Sequence, residues 1–345
     1  MFGRCARAQD ARERREPQAC GAGSRPTHAR TDPTPSRPRQ AVTPANESGA
    51  ATYRCGFAAI VGRPNVGKST LLNALLGQKI SIVTPKPQTT RHRILGILTR
   101  PSAQIVFVDT PGLHASARRA MNRHMNRAAL ASLQDADVNL FVVEALRWTE
   151  EDRHVLEALS KQGRPTILIV NKVDKVSPKE RLLPFIEELS KHAQFEEVVP
   201  VSALKGTQVE RLPDLIARYL PESPPHFPED QITDRTQAFQ AAEIVREKLT
   251  LRLRQELPYG LTVGIEQFKE EDGRLLINAV IWVERTGQKA IVIGHGGEQL
   301  KEVGRAARIE MSERFGSPVH LELWVKVKEN WSDSEAALRQ LGYEV

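Results

Sequence analysis

The stretch "GRPNVGKS", Gly62 to Ser69, constrains this chain more than any other. It fits the pattern G-x-x-x-x-G-K-[ST], with the apolar run "FAAIV" before it and the amphipathic "TLLNALL" after it. Such a loop needs a strand, a tight glycine turn and a helix. Successive backbone N–H groups must wrap phosphate oxygens at a helix N-terminus without Cβ obstruction. Gly62, Arg63, Pro64, Asn65, Val66, Gly67, Lys68, Ser69 and Thr70 form the expected cradle. Lys68 places a point charge on β/γ oxygens, and the Ser69 hydroxyl is a ligand for Mg²⁺. The alternative is an ordinary strand-to-helix turn, and the flanking elements argue against it.

A phosphate loop alone specifies only a nucleoside triphosphate. The base is read by "NKVD", Asn171, Lys172, Val173 and Asp174, directly after the run "TILIV". A carboxylate at Asp174 accepts both N1–H and N2–H₂ of guanine, and adenine presents no such donor pair. Asn171 bridges base and phosphate loop, and the Lys172 stem lies along the purine face. Ser202, Ala203 and Leu204, after "VVPV", supply a backbone N–H for the guanine carbonyl. "DTPG", Asp109, Thr110, Pro111 and Gly112, follows "QIVFV"; Asp109 is expected to hold Mg²⁺ through water and the Gly112 N–H to sense the γ-phosphate. In "KPQTTRH", Lys86 to His92, a threonine binds Mg²⁺ and γ-phosphate together, with Thr90 preferred over Thr89. The expected catalytic set is therefore Lys68, Thr90, Gly112 and Asn65, and the expected metal set is Ser69, Thr90 and Asp109.

Short apolar runs from "FAAIV" to "VVPVSA" alternate with amphipathic stretches such as "EEDRHVLEALSKQ" and "LLPFIEELSKH". This is the signature of an α/β, doubly wound, mostly parallel sheet. "RILGILTRPSAQIVFVDT" has only a short connection between its runs, so those two strands are expected to form an antiparallel hairpin. "LPESPPHFPED", Leu220 to Asp230, carries four prolines and three acidic residues and reads as an extended linker. The organisation expected is an extension over 1–52, a GTPase domain over 53–220, a linker over 221–230, a second domain over 231–330 and an amphipathic tail over 331–345.

A second glycine turn, "AIVIGHGGEQLKEVG", enters from another apolar run near the C-terminal third. It lacks the lysine and hydroxyl of a phosphate loop, and no second N-K-x-D follows it. It does match the G-x-x-G of KH domains, in which a helix–loop–helix clamps about four single-stranded nucleotides. Gly294, His295, Gly296 and Gly297 form that loop, and Lys301, Arg305 and Arg308 fall on one helical face. Ile291, Ile293, Leu300 and Val303 are expected to form an apolar platform for bases. A plain β-turn-α with a solvated basic face is the competing reading.

Charge decides little between these readings. Residues 1–50 hold nine Arg against five acidic residues, supplying +4 of the net +7. From Asp230 onward there are 16 basic and 19 acidic side chains, so any nucleic-acid contact there must use a local patch. The tail over 1–50 is nearly free of aliphatic residues and is expected to be disordered. Cys5, Cys20 and Cys55 show no metal spacing, and their odd number argues for a reducing compartment.

Taken together, "GRPNVGKSTLLNALLGQKISIVTPKPQTTRHRI", "DTPG", "NKVD", "VSALKG", "VIGHGGEQLK" and "VKVKENWSDSEAALRQLGY" resemble the Era family of bacterial ribosome-assembly GTPases, from about Tyr53 to Glu344. That resemblance implies a GTPase domain followed by an α+β type II KH domain. It also implies Mg²⁺-dependent GTP hydrolysis, GTP and GDP as ligands, and binding to the 3′ end of small-subunit ribosomal RNA during assembly of that subunit. A cytoplasmic, monomeric protein with peripheral association at the inner membrane is implied as well. Leu113 stands where Ras-like proteins carry a water-orienting glutamine. Related GTPases of this kind hold K⁺ on a loop Asn, which makes Asn65 the candidate; the other reading is that Asn65 only caps its loop. The interior His295-Gly296 departs from relatives that place a lysine there, and residues 1–50 have no counterpart in the family pattern.

Overall fold

The computed structural model describes residues 52–112, 119–253 and 257–343. Strand β1 (Arg54–Val61) runs into the phosphate loop and helix α1 (Lys68–Leu76). Next come β2 (Ile94–Arg100) and β3 (Ala103–Asp109), which pair antiparallel from Ile94↔Asp109 to Arg100↔Ala103 as the short connection predicts. Then follow α2 (Ala120–Gln134), β4 (Val138–Glu144), α3 (Glu150–Ser160), β5 (Thr166–Asn171), α4 (Leu182–Ser190), β6 (Glu197–Pro200) and α5 (Leu212–Ala217). The sheet order is β2-β3-β1-β4-β5-β6, and every pair except β2–β3 is parallel. A parallel sheet must be covered on both faces, which is why β3 and β4 read as continuous apolar runs. One core lies under α1 and α5, with Ile60, Leu71, Phe107 and Leu140; the other lies under α3 and α4, with Val61, Phe141, Val155 and Val170.

The proline-rich segment is strapped to the sheet rather than free. Cys55 N–H donates to Pro221 O at 3.1 Å and Ser223 N–H to Tyr53 O at 3.1 Å. The Gln104 amide clamps it further on, accepting from the His226 and Phe227 N–H groups at 2.8 and 2.9 Å and donating to Phe227 O at 2.9 Å. Proline removes donors, so the chain meets the sheet through its remaining N–H groups and its carbonyls.

Beyond it lie α6 (Gln237–Arg252), β7 (Leu261–Glu271), β8 (Arg274–Val283), α7 (Thr286–Ile293), α8 (Glu298–Phe315), β9 (Val319–Val327) and α9 (Glu335–Gln340). The sheet order β7-β8-β9 is antiparallel then parallel, and α6 and α8 cover one face around Ile277, Ile281, Val303 and Met311. The apolar run before the second glycine turn is a helix, α7, as a helix–loop–helix requires, and not the strand that its β-branched residues suggest. Gln288 Oε1 accepts from the N–H groups of Glu284 and Arg285 at 2.8 and 3.1 Å, which starts the helix. Only Val292 of the run is fully buried.

Residues 331–343 are more than a tail. Trp331, Leu338 and Tyr343 are buried in a cluster with Ala120, Met121 and Met125 of α2. Ala120 N–H donates to Asp333 Oδ1 at 2.9 Å, and the Tyr343 hydroxyl and Thr262 Oγ1 lie 2.9 Å apart. Among the described residues no helix is long and apolar enough to cross a membrane.

Candidate functional site

The carboxyl ends of β1, β3 and β5 carry the three predicted nucleotide segments to one edge of the sheet. Gly62 (φ 156) and Gly67 (φ 101) bend the phosphate loop, and neither position has room for a side chain. A Cβ on Gly62 would stand 2.3 Å from Val142 O, and one on Gly67 would stand 2.4 Å from Asn171 Nδ2. Lys68 is buried, and its Nζ donates to Gly62 O at 2.9 Å and Arg63 O at 3.0 Å, which holds it inside the loop. Desolvation pulls its pKa down to about 8, with Asp109 opposing the shift. Pro64 and Thr70 are half-buried and Val66 is buried under the loop.

The three expected metal ligands converge. Ser69 Oγ lies 2.8 Å from Thr90 Oγ1 and donates to Asp109 Oδ2 at 2.8 Å, while Thr90 Oγ1 lies 3.4 Å from the same oxygen. Ser81 Oγ, which sequence reasoning missed, donates to Asp109 Oδ2 at 2.9 Å. The other oxygen, Oδ1, is buried with no hydrogen-bond partner. Burial raises the Asp109 pKa against the pull of Lys68, Ser69, Ser81 and Thr90. A buried carboxylate with one orphaned oxygen, beside two hydroxyls, is a hard-oxygen set that fits a small divalent cation. The neighbouring Thr89 Oγ1 is turned away, donating to Lys86 O at 2.7 Å and lying 2.7 Å from Thr84 Oγ1.

Gly112 sits against the phosphate loop, where a Cβ would come within 2.9 Å of Pro64 N. Thr110 Oγ1 donates to Ile60 O at 2.9 Å, and Pro111 is buried beside it. Leu113 and the rest of that turn to His114 lie outside the described residues, as do Cys5, Cys20 and the extension over 1–50.

On the base side, Asn171 Nδ2 donates to Val66 O at 2.8 Å, and Asn171 Oδ1 accepts from the Ala203 N–H at 3.0 Å. One side chain thus ties the phosphate loop to the turn at 202–204. Ser202 Oγ donates to Asp174 Oδ1 at 2.5 Å, aiming a carboxylate that is otherwise exposed. Val173 is buried, and Leu204 is 70% exposed. Lys172 adopts a left-handed conformation (φ 65) and its Nζ lies 3.1 Å from Glu144 Oε1. Asn65, also left-handed (φ 64), donates from Nδ2 to Pro85 O at 3.1 Å, joining the phosphate loop to the segment that carries Thr90.

That segment, from Gln78 to Arg93, also rests on the C-terminal half. Lys79 Nζ lies 2.6 Å from both Glu247 of α6 and Glu310 of α8, and Val83 N–H donates to Glu247 Oε1 at 3.0 Å. Arg91 Nη1 donates to Leu261 O at 2.7 Å, Lys86 Nζ donates to Leu253 O, and Arg246 donates to Thr89 O. The His92 ring stacks on Tyr343 at 4.4 Å and meets Phe239 edge-on at 5.2 Å. Burial drives the His92 pKa down to about 3, which keeps the ring neutral. Arg246 is nearly fully buried and makes paired contacts of 2.7 and 2.6 Å with Glu243. None of these contacts was visible in the sequence.

The second glycine loop is an exposed turn. Gly294, Gly296 and Gly297 all have positive φ (76, 57 and 79), and a Cβ on Gly296 or Gly297 would meet nothing within 4 Å. His295 is exposed within it, and Lys301, Arg305 and Arg308 are exposed along α8. The expected apolar platform is only partly there. Val303 is fully buried in the core between α8 and the sheet, so it cannot meet a base. Ile293 and Leu300 are half-buried against that core, and Ile291 is 55% exposed. The helical period puts Val303 on the inner stripe that Ala307 and Met311 continue.

Fold and site define a phosphate-loop GTPase joined to a KH module. Residues 57–172 match the family described as a 50S ribosome-binding GTPase, and residues 256–332 match the KH domain family. The chain is similar to GTPase Era of Marinobacter nauticus, 56% identical over 289 residues that cover 84% of this chain and 95% of that one. It is also similar to GTPase Era of Pseudomonas aeruginosa, 55% identical over 302 residues, covering 88% and 99%. Among solved structures it is similar to Era in complex with MgGDPNP and nucleotides 1506–1542 of 16S ribosomal RNA, 44% identical with a TM-score of 0.82, covering 85% of this chain and all of that one. An Aquifex aeolicus Era variant bound to GDP.AlF4⁻ is similar to the same degree, 43% identical with a TM-score of 0.82 and the same coverage. The chain belongs to the Era family of GTPases.

Proposed function

We propose that this GTPase is a switch whose KH module binds the 3′ end of 16S ribosomal RNA and assists small-subunit assembly and rRNA maturation. One observation carries the switch: the segment that presents Thr90 to Ser69 and Asp109 is the same segment that Arg246 and Leu261 hold from the KH side. Ser69, Thr90 and Asp109 would hold Mg²⁺, which when bound neutralises charge between the β- and γ-phosphates. Lys68 meets the same oxygens, the Gly112 N–H meets the γ-phosphate, and Asp174 reads guanine. A triphosphate that draws in Thr90 therefore pulls on Thr89 and Arg91, and through them on α6 and β7. The solved Era complex with a 16S rRNA segment supports the RNA half of this reading, as does the exposed Gly294–Gly297 loop beside Lys301, Arg305 and Arg308.

Filter binding of a single-stranded 16S 3′-end oligonucleotide, with a GTP analogue and with GDP, tests it. Different affinities in the two states are expected; equal affinities end the switch, and no binding in either state ends the RNA reading. A second reading, that the C-terminal half docks protein or an inner-membrane surface, draws support from its 16 basic against 19 acidic side chains. Lys301→Glu with Arg305→Glu separates the two. Lost RNA affinity with unchanged GTP turnover favours RNA, and unchanged RNA affinity favours docking.

We read Asn65 as the K⁺ ligand, since its amide already spans the phosphate loop and the Pro85 carbonyl. Faster turnover in K⁺ than in Na⁺, lost in Asn65→Ala, is the expected result. A monomer in the cytoplasm, reaching the inner membrane only peripherally, completes the proposal; sedimentation and cell fractionation check it.

A further inference from the structure

The phosphate loop and the N-K-x-D segment end different strands, β1 and β5, which are not neighbours. The sheet order places β4 between them, and the last residue of β4, Glu144, pairs in register with Asn171. Its carboxylate faces both ways. Oε2 accepts from Arg63 Nη2 of the phosphate loop at 2.9 Å, and Oε1 lies 3.1 Å from Lys172 Nζ of the guanine segment.

Arg63 is held from behind as well. Its Nε donates to Asp152 Oδ2 at 3.0 Å, and that oxygen also accepts from Thr149 N–H and Oγ1 at 3.0 and 2.8 Å, at the start of α3. Arg63 is 5% exposed and Asp152 fully buried. The result is one continuous chain of contacts, Thr149–Asp152–Arg63–Glu144–Lys172, running behind the nucleotide site from one motif to the other. Burial pushes Glu144 upward, but the hydrogen bonds from Arg63 and Lys172 outweigh it and hold the carboxyl below its ordinary range. Arg63 and Lys172 share that anion with the more exposed Arg147, whose Nη1 lies 3.9 Å from Oε2, and without it the cations would repel one another.

We propose that Glu144 is a positioning residue for nucleotide binding: through Arg63 and Lys172 it fixes the spacing between the phosphate loop and the guanine-reading segment. The proposal rests on the GTP reading of the site. Arg63 is then not a phosphate ligand but the loop's anchor. Lys172 lies along the purine because its far end is tied down.

The test is Glu144→Gln in the full chain, which keeps the shape and removes the charge. Affinity for fluorescent GDP and GTP analogues is expected to fall about tenfold, with turnover at saturating GTP unchanged. In a Lys172→Met background the same substitution is expected to cost much less, because the tie is already cut. Unchanged affinity with a lowered melting temperature would make Glu144 merely structural and overturn the proposal, as would equal losses in both backgrounds. If Glu144→Gln does not fold, Asp152→Asn loosens Arg63 from the far end and carries the same expectation and the same refutation. Titration of the unaltered chain separates this from the site reading: no guanine-nucleotide binding there removes the GTP assignment itself, and the proposal with it.

Discussion

The two glycine turns share a sequence grammar, and the fold uses them in opposite ways. In the Gly62–Ser69 loop the glycines make room: Val142 O and Asn171 Nδ2 occupy the space where a Cβ would stand. In the Gly294–Gly297 loop they mainly supply positive φ, and open space surrounds Gly296 and Gly297. The first turn is walled in by its own protein, with its lysine already held by carbonyls. The second is closed on one side, where a Cβ on Gly294 would stand 2.7 Å from Gln299 Cβ, and open at Gly296 and Gly297. A small ligand is enclosed by a preformed cradle, whereas a polymer strand needs an accessible ridge.

Removing the charge from the enclosed loop is the strongest way to test the contrast. Lys68→Ala is expected to weaken triphosphate binding roughly a thousandfold while leaving RNA binding without nucleotide intact, measured by equilibrium titration of each ligand. A smaller step is Gly67→Ala, which must displace the Asn171 amide and is expected to cost about a hundredfold in nucleotide affinity. Nucleotide affinity near wild type in that variant would show the loop is not walled in at all.

pH gives a gentler probe. Lys68 sits at about 8 in the free site, and a bound phosphate favours its charged form, so above pH 8 binding must take up a proton. Nucleotide affinity is therefore expected to fall with rising pH above 8, by at most about tenfold per unit, and to be insensitive to this group below it. Calorimetry in buffers of different ionisation enthalpy reads that proton directly. Smallest of all is Gly296→Ala, whose Cβ meets nothing. Only the left-handed φ is strained, so melting should drop by the equivalent of about 1 kcal/mol and RNA affinity by a few-fold at most. A large loss would mean that the exposed turn is closed over in solution.

The nucleotide half was legible because its signals are local. Strand, glycine loop and helix follow one another within "FAAIVGRPNVGKSTLLNALL", and NKVD stands at a strand end where its chemistry is needed. Thr90 and Asp109 could be paired with Ser69 because each motif names its own role. Glu144 could not be read: a glutamate at the end of an apolar strand looks like a solvated cap, and its partners are 81 and 28 residues away. Val303 belongs to the core, not to a platform for bases, because α8 packs its apolar stripe on sheet strands that no local pattern around the loop reveals. The grip of Arg246 and Tyr343 on the Thr89–His92 segment was invisible for the same reason. Such contacts are tertiary, and no short pattern encodes them.

The packing of residues 331–343 on α2 has a consequence for how this molecule comes into being. Ala120 must wait for Asp333, 213 positions further along, before its N–H is capped. At ordinary ribosomal speeds of about 5–20 residues per second, that interval is on the order of ten to forty seconds. Until those last residues arrive, Met121 and Met125 lack the Trp331, Leu338 and Tyr343 that cover them in the folded chain. This chain thus completes the packing of α2 only after nearly all of its KH half has been made.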